Sequence, residues 1–368
     1  MNRYPSGALS KRVNHMKIKF ARTAAISLVF ACATAGAHAR QLEIYFIDVE
    51  GGQSTLIVTP DRRSLLIDAG WAGAGVGFRP GDPHQARDAN RILAAAKDAG
   101  IKQIDYLLIT HFHDDHDGGV RELAQLLPIR AFIDHGSPSP KTALNTGVEQ
   151  LDAFGVYASV RSGSAHFEPM PGDRLPLQGL EVKVISSAGR TLPSPLPHAG
   201  LNNAACLSQP VAALDPNENP RSTGVVLRYG KFRFLDVGDL SGQPLFDLAC
   251  PADKIGAVDV YLVAHHGGAD AADPGTFAAF KPRIAVMNNG EKKGGAKQTY
   301  ELLHQVTGLE DVWQLHLSAA AGGNNFAAET VANLDESTSY WIKLVAGEDG
   351  SFALLNQRTG GWKRYPHR

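Results

Sequence analysis

The chain has 368 residues, of which 43% are hydrophobic, and no low-complexity tract, as expected of a globular protein with a sizeable core. Six of its 36 basic residues and none of its 37 acidic residues lie in positions 1–39, so the remainder carries 30 bases against 37 acids, a formal charge of −7. An acidic surface repels polyanions at long range, which argues against a non-specific nucleic-acid-binding protein.

Residues 1–39 have the pattern of a secretory signal peptide. Three basic residues within 17–22 precede the apolar run 25–33, which leads to the small-residue sequence Ala37-His38-Ala39. We therefore expect cleavage near Ala39 and a periplasmic or secreted mature protein without a transmembrane segment. A start at Met16 would give a signal of more usual length.

Two other fates of the N-terminus stay open. In one the apolar run is kept as an anchor, although it is roughly half of the ~20 residues that a membrane-spanning helix needs. In the other Cys32 carries a lipid, although the preceding Val29-Phe30-Ala31 has a bulky residue where small ones are usual. After processing Cys206 and Cys250 remain, and the sequence leaves open whether they pair in an oxidising compartment.

From residue 41 onward predicted strands and helices alternate, which indicates an α/β fold. Alternating or continuous apolar residues predict strands, whereas apolar residues three or four positions apart predict helices. The first half is predicted to contain strands 41–48, 54–59 and 63–68, helix 84–98, strand 104–109, helix 118–127, strand 130–134, helix 143–154 and strand 180–186. The Pro- and Asn-rich region 187–222 is predicted to be a loop.

The second half repeats this order, which suggests an internal duplication. It is predicted to contain strands 223–229, 231–236 and 258–264, a short helix, strand 283–287, helix 297–306 and strand 311–317. Near the end, Gly347-Glu-Asp-Gly350 separates the runs 337–345 and 351–356 and predicts an accessory β-hairpin. We therefore expect a signal peptide over 1–39, a main α/β domain over 40–320 and a C-terminal extension with a hairpin over 321–368.

The most informative motif is THFHDDHDGG at 110–119, directly after a predicted strand. It places His111, His113, Asp115 and His116 at the spacing H-x-H-x-D-H. Each neutral imidazole offers a lone pair and each carboxylate adds negative charge, so this set can hold one or two divalent ions such as zinc. No G-x-S-x-G sequence occurs that would indicate a serine nucleophile.

Together with LLIDAG at 65–70, this motif resembles the metallo-β-lactamase superfamily. More specifically, the chain resembles the hydrolase domain of the bacterial competence DNA-uptake channel and its secreted stand-alone relatives. The further motifs of that subgroup are matched in order by DVEGGQS at 48–54, Asn219 to Ser222 before VVLRYG, DVGD at 236–239 and AHHGG at 264–268. The resemblance spans 41–317 and implies a four-layer αβ/βα sandwich of two mixed sheets.

The resemblance also implies a site for two divalent ions, with zinc preferred and manganese or iron as alternatives. It assigns His111 and His113 to one ion, Asp115 and His116 to the other, and Asp239 to a bridging position. Asp115, His116 and Asp239 are thereby the expected catalytic residues. The closing ligand is His265 or His266, and the sequence does not choose between them.

One departure from the superfamily concerns the third histidine of the first ion. Where it usually follows the strand at 180–186, this chain has Ser186-Ser187-Ala188-Gly189. His135, at the end of the strand predicted over 130–134, is the candidate replacement, and a capping or loop role is the alternative.

Four further polar residues lie at or just after the ends of predicted strands. Asp68 is expected to accept a hydrogen bond from a ligand imidazole and fix its tautomer, and Asp48 to have a structural role. Asn289 follows a late strand and His316 lies near the end of another, and both are candidates for the substrate pocket, with strand-end packing as the alternative.

The resemblance implies an exported hydrolase in which a metal-bound hydroxide attacks a phosphoester, with a phosphodiester preferred. A carbonyl hydrolase acting on lactams, lactones or thioesters is the alternative, and a non-catalytic metal-binding protein is a third hypothesis. The acidic mature chain favours a small-molecule or cell-envelope phosphoester over long nucleic acid as substrate. The sequence gives no indication of an oligomeric state.

Overall fold

The structure, a computed structural model, describes residues 41–73, 79–139, 148–208 and 217–368. The predicted signal peptide lies outside the described residues, as does the start of the helix predicted over 143–154. From Ala39 onward the chain forms one unit. Within the described ranges, no helix has both the length and the apolar character needed to cross a membrane.

The described strands, in chain order, are β1 (Leu42–Phe46), β2 (Thr55–Val58), β3 (Ser64–Ile67), β4 (Tyr106–Leu108), β5 (Ala131–Ile133), β6 (Ala165–Phe167), β7 (Arg174–Leu175), β8 (Glu181–Ser187), β9 (Arg190–Thr191), β10 (Gly224–Tyr229), β11 (Phe232–Asp236), β12 (Val260–Leu262), β13 (Ile284–Met287), β14 (Asp311–His316), β15 (Val331–Asn333), β16 (Ile342–Ala346), β17 (Phe352–Asn356) and β18 (Gly361–Tyr365). The α-helices are α1 (Arg87–Asp98), α2 (Asp114–Asp117), α3 (Val120–Leu126), α4 (Val148–Arg161), α5 (Gly242–Ala249), α6 (Pro274–Phe280) and α7 (Lys297–Leu303). Short 3₁₀ turns include Asn219–Arg221 and Ala264–Gly267.

The strands form two mixed sheets of similar design. The first has the order β18-β17-β16-β1-β2-β3-β4-β5-β6, and the second β15-β14-β13-β12-β11-β10-β8-β7, with β9 beside β8. In the first sheet the strands from β3 to β6 are parallel, and in the second those from β11 to β15 are parallel. The predicted α/β fold with two mixed sheets is confirmed.

Strand β1 shows how side-chain alternation builds the layers, because successive strand residues point to opposite faces of the sheet. Ile44 and Phe46 enter the core between the sheets, where the Phe46 ring packs edge-on against Phe234 of the second sheet. Tyr45 points to the outer face, where Ile92 of α1 packs. A third apolar cluster joins α5, α6 and α7 to the outer face of the second sheet. The order of layers is therefore helices, sheet, sheet, helices.

The C-terminal hairpin belongs to the first sheet. Strand β16 pairs antiparallel with β1, with Leu42 opposite Ala346, and β17 pairs with β16. A third strand, β18, which we did not predict, continues the sheet beyond β17. Leu354 of β17 and Tyr365 of β18 are buried in the core between the sheets. The predicted hairpin is thus present, but it completes the central core rather than forming an accessory element.

The region 187–222 contains more structure than the predicted loop. Within its described part it holds β9 and two 3₁₀ turns. A disulfide joins Cys206 to Cys250, with 5.8 Å between the Cα atoms, which answers the question that the sequence left open. Cys250 follows α5, a helix that we did not predict and that buries Leu245 and Leu248.

Candidate metal centre

The predicted ligands lie where parallel strands of the two sheets end. They follow β4 (His111, His113, Asp115 and His116), β5 (His135), β11 (Asp239) and β12 (His265 and His266). Asp68, which was predicted to support a ligand imidazole, follows β3. The carboxyl ends of neighbouring parallel strands meet at one edge of a sheet, where α/β proteins place their binding sites. The two edges are joined here, since the backbone N–H of Thr223 donates to the carbonyl of Thr110 at 2.8 Å.

Four of these residues form the centre of the site. The ligand atoms of Asp115, His116, Asp239 and His266 all lie within 4.8 Å of one another. His116 Nε2 is 3.3 Å from Asp115 Oδ2 and 3.3 Å from Asp239 Oδ2. His266 Nε2 lies 3.1 and 3.2 Å from the same two oxygens. Two imidazoles and two carboxylates therefore converge on one small volume.

His111 and His113 form a second pair beside this group. His111 Nε2 lies 2.9 Å from His113 Nδ1 and 3.9 Å from Asp239 Oδ2. Asp239 thus faces both the histidine pair and the group of four, as a bridging carboxylate would. The predicted division into two ligand sets is compatible with this arrangement.

The structure distinguishes His266 from His265. The His266 side chain is 1% exposed and belongs to the group of four, whereas that of His265 is 31% exposed. His265 Nε2 lies 3.6 Å from Asp239 Oδ2, and its Nδ1 is hydrogen-bonded to Asp270 Oδ2 at 2.8 Å. Both histidines have positive φ, 50° and 53°, a conformation that non-glycine residues adopt at an energetic cost and that is common at functional sites.

Whether the site fits a metal can be tested on its buried polar atoms. Atoms that lack a hydrogen-bond partner are free to bind an ion. Within the described part of the chain, His116 Nε2, both ring nitrogens of His266 and Asp239 Oδ1 have no hydrogen-bond partner. Unsatisfied buried polar atoms are costly and rare in native proteins. Imidazole nitrogen and carboxylate oxygen are ligands that divalent transition metals prefer. The residues present therefore fit divalent metal ions.

The electrostatics keep most of these groups in the state that binds metal. Burial, reinforced by His116, lowers the pKa of His111 well below its usual range, so its imidazole is neutral. Burial opposes ionisation of Asp115 and Asp239, but neighbouring imidazoles hold the pKa of both carboxyls well below the usual range. Burial likewise opposes a charge on His116, but Asp239, Asp115 and Asp68 raise its pKa. An ion bound here would take the place of that proton.

Asp68 orients the His116 ring through the nitrogen that faces away from the cluster. Its Oδ2 lies 2.7 Å from His116 Nδ1, and its Oδ1 accepts the backbone N–H of Thr110 at 2.7 Å. The carboxylate can only accept, so it keeps a proton on Nδ1 and leaves the Nε2 lone pair directed at the cluster. This is the role that the sequence predicts for Asp68.

His135 does not join the cluster, and the expectation that it replaces the third histidine is corrected. Its Nε2 is hydrogen-bonded at 3.0 Å to the buried carboxylate of Glu218, and its ring packs 4.5 Å from that of Phe112. The strand-end position suggested a ligand, but the fold supplies an acidic partner 83 residues away in sequence.

Asn289 and His316 also differ from their predicted role at the substrate pocket. Both are fully buried, and the Asn289 amide donates to the His316 carbonyl at 2.9 Å. His316 Nε2 lies 2.7 Å from Asp48 Oδ1, which links β14 to the end of β1. Both are packing residues, and Asp48 has the structural role expected of it.

The sequence did not single out three residues around the metal centre. The Lys293 ammonium contacts the Asp115 carboxylate and lies 4.9 Å above the Trp71 ring. Asn219 Nδ2 lies 3.3 Å from His265 Nε2. Two features of the sequence could have pointed to Lys293 and Asn219. One is the glycine-rich sequence GEKKGG, which contains Lys293 and follows a predicted strand, and the other is the motif that begins at Asn219, which served above only as support for the resemblance.

Comparisons with known proteins find sequence and fold similarity. Residues 47–200 match the family model described as the metallo-beta-lactamase superfamily. The chain is similar to hydroxyacylglutathione hydrolase of Albidiferax ferrireducens, with 29% identity over 111 residues that cover 30% of this chain and 36% of that protein. It is also similar to ComE operon protein 3 of Bacillus subtilis, with 23% identity over 256 residues that cover 68% of this chain and 28% of that protein.

The chain therefore spans about a third or less of the length of these curated relatives. Among solved structures, the metallo-beta-lactamase fold protein YhfI from Bacillus subtilis aligns over 75% of this chain and 96% of that chain, with a TM-score of 0.44 and 10% identity.

Proposed function

Because the chain carries a metallo-beta-lactamase superfamily domain and is related to ComE operon protein 3, we propose that it is an exported metal-dependent phosphodiesterase. Members of this superfamily are typically metal-dependent hydrolases. The observation that carries the proposal is the convergence of Asp115, His116, Asp239 and His266 within 4.8 Å. Such a ligand set suits hydrolysis, because bound metal ions can activate a water molecule as the nucleophile and no side chain of the protein has to attack the substrate.

The roles of the chain's own residues follow from their positions. His111 and His113 would hold one ion, Asp115, His116 and His266 the other, and Asp239 would bridge them. Two divalent ions supply an activated water and stabilise the negative charge that develops on the attacked group. We favour zinc, with manganese or iron as alternatives, because all three accept mixed imidazole and carboxylate ligands.

His265 is placed to handle the proton of the leaving group. Burial disfavours its charged form, but the hydrogen bond from Nδ1 to Asp270 raises its pKa. Its Nε2 faces Asp239 and Asn219 at the partly exposed side of the cluster. When the Asn219 amide presents its oxygen rather than Nδ2 to this ring, Nε2 can carry a proton and deliver it to the oxygen released when a phosphodiester is cleaved.

Two observations favour a phosphodiester. The similarity to ComE operon protein 3 covers 68% of this chain, more than twice the share covered by the similarity to hydroxyacylglutathione hydrolase. The matched competence-type motifs imply phosphoester chemistry. The −7 charge that remains after removal of residues 1–39 favours small or cell-envelope phosphodiesters over long nucleic acid, since a polyanion would be repelled.

Export is also part of the proposal. The signal-peptide pattern of residues 1–39 supports a periplasmic or secreted location. The disulfide between Cys206 and Cys250 adds support, because such bonds form and persist in oxidising compartments.

The test is hydrolysis of bis-p-nitrophenyl phosphate by mature protein loaded with zinc or manganese. We expect turnover by the wild type, and a loss of at least about 100-fold in kcat for Asp239→Ala, which removes the bridging carboxylate. Asp349→Ala, an exposed carboxylate in the distant hairpin turn, serves as control and should match the wild type. Failure of the loaded wild type to cleave any phosphodiester would contradict the proposal.

A carbonyl hydrolase is the second candidate, favoured by the similarity to hydroxyacylglutathione hydrolase over 111 residues. The same centre could stabilise the oxyanion formed at an attacked thioester or lactone. Parallel assays with thioester, lactone and lactam substrates separate the two candidates, and loaded protein that is inactive on all of them would indicate a non-catalytic metal-binding protein.

A further inference from the structure

The loop between β13 and α7 packs directly on the metal centre. The backbone N–H of Gly295 donates to the carbonyl of His266, and that of Ala296 to the carbonyl of Gly267, each at 2.8 Å. At the other end of the loop, the N–H of Gly290 donates to the carbonyl of Lys293 at 2.9 Å. The backbone around Lys293 is thus fixed relative to a predicted metal ligand.

Glycine is required where this loop approaches the backbone of His266 and where the turn after β1 approaches Lys293. A Cβ on Gly294 would lie 2.4 Å from the His266 carbonyl oxygen, and φ there is 73°. A Cβ on Gly51 would lie 2.8 Å from the Lys293 Cβ. Lys293 is therefore held between the His266 loop and the turn after β1, unlike an ordinary surface lysine.

The side chain of Lys293 points at the metal centre. Its ammonium contacts Asp115 Oδ2, the same oxygen that lies 3.1 Å from His266 Nε2, and it lies 4.9 Å from the centre of the Trp71 ring. The side chain is 39% exposed. The preceding Lys292 points elsewhere, since its side chain is 70% exposed and pairs with Glu336.

An ammonium and a divalent cation repel each other, so an ion held by Asp115 would weaken the contact of Lys293 with Asp115 Oδ2. With an ion bound, the flexible stem of Lys293 lets the ammonium leave that oxygen while its backbone stays in place. The ammonium then stands at the partly open side of the centre, next to a carboxylate whose negative charge is shared with the ion. An anionic group of the substrate is the partner that such a position suits.

We propose that Lys293 binds the anionic group of the substrate, namely a non-bridging oxygen of the phosphodiester next to the metal centre. This inference rests on the proposed function and specifies how the site selects an anion. Lys293 neutralises the charge that a phosphodiester carries in the ground state, and the Trp71 ring, 4.9 Å away, offers the ammonium a further favourable contact.

The experiment compares Lys293→Met, Lys293→Arg and the matched control Lys292→Met. Each metal-loaded protein is titrated with inorganic phosphate by calorimetry, its metal content is measured, and its KM for bis-p-nitrophenyl phosphate is determined. We expect Lys293→Met to weaken phosphate binding and raise KM at least tenfold with unchanged metal content. Lys293→Arg should restore most of the affinity, and Lys292→Met should match the wild type.

The inference is overturned if Lys293→Met binds phosphate as tightly as the wild type, if the loaded wild type binds no phosphate, or if Lys293→Met loses its metal. These outcomes are separable from failure of the proposed function. A wild type that cleaves no phosphodiester but binds phosphate through Lys293 rejects the activity and keeps the anion site. An active enzyme whose KM and phosphate affinity are unchanged by Lys293→Met keeps the proposed activity and rejects the anion site.

Discussion

His265 and His266 show how strongly local geometry separates two identical side chains. The turn after β12 buries His266 among Asp115, Asp239 and His116, whereas His265 remains partly exposed and pairs with Asp270. The sequence could not choose between them, because both follow the same strand. The choice depends on two consecutive positive φ values, which set the direction of each ring.

We predict that His266→Ala removes one of the two ions, whereas His265→Ala retains both and lowers kcat. His266 Nε2 is a ligand atom at the centre, while His265 acts on the proton of the leaving group. Elemental analysis of the dialysed proteins measures this directly. Equal metal loss in both variants, or loss only in His265→Ala, would reverse the assignment.

A buried carboxyl below the site gives a pH signature. Burial raises the pKa of Asp236 to about 7, even though Gln53 and the N–H of Gly238 donate to its oxygens. An unfolded aspartate titrates near ~3.9, so the folded state holds this proton more tightly. The contribution of the group to the free energy of unfolding is therefore full below about pH 4 and lost as the pH rises through about 7.

Asp236→Asn removes this titration. Relative to the wild type, the free energy of unfolding of the variant should rise by up to roughly 4 kcal/mol between about pH 4 and pH 8, because each tenfold difference in proton affinity between the folded and unfolded states is worth about 1.4 kcal/mol. Urea unfolding with a chelator present, at several pH values, measures the difference. A difference that stays constant across this range would show that Asp236 is ionised throughout.

At the scale of elements, the sequence predicted what local periodicity and motifs can encode. The strand before His111, helix α1 and the paired strands near the C-terminus follow apolar spacing and turn residues. The antiparallel pairing of β16 with β1 depends on residues about 300 positions apart, which no local pattern reveals. The same limit explains His135, whose strand-end position was visible in the sequence but whose partner Glu218 was not.

The loop that carries Lys293 is an element whose shape depends on glycine. We predict that Gly294→Ala destabilises the fold by about 1–3 kcal/mol more than Gly189→Ala, because the new Cβ would meet the His266 carbonyl. Gly189 is the matched control, since its φ of 78° is similar and, apart from its chain neighbours, no heavy atom of the described residues lies within 4 Å of its added Cβ. Urea unfolding of both variants decides this, and equal losses would mean that the loop moves freely.

At the scale of the whole molecule, each sheet contributes part of the metal centre. Asp115 and His116 come from the first sheet, and Asp239 and His266 from the second. The core between the sheets, which the C-terminal strands complete, therefore sets the distances between ligands. The fold and the site are coupled, and global stability bears on metal binding.

The disulfide is one contributor to that stability. It closes a loop with a sequence separation of 44 residues. The loop-entropy model assigns such a crosslink about 4 kcal/mol, so we predict that Cys206→Ser together with Cys250→Ser lowers the free energy of unfolding by up to that amount. Denaturant unfolding with and without reductant measures it. If reductant changes the free energy of unfolding of the wild type and of the double variant by the same amount, the bond does not form.

The most direct test of the account is the metal content of purified mature wild-type protein beside Asp115→Ala and Asp239→Ala. We predict two tightly bound divalent ions per chain in the wild type, loss of one in Asp115→Ala, and loss of both or severe weakening in Asp239→Ala. A wild type that retains no ion after loading and dialysis, or ions that survive both substitutions, would contradict it.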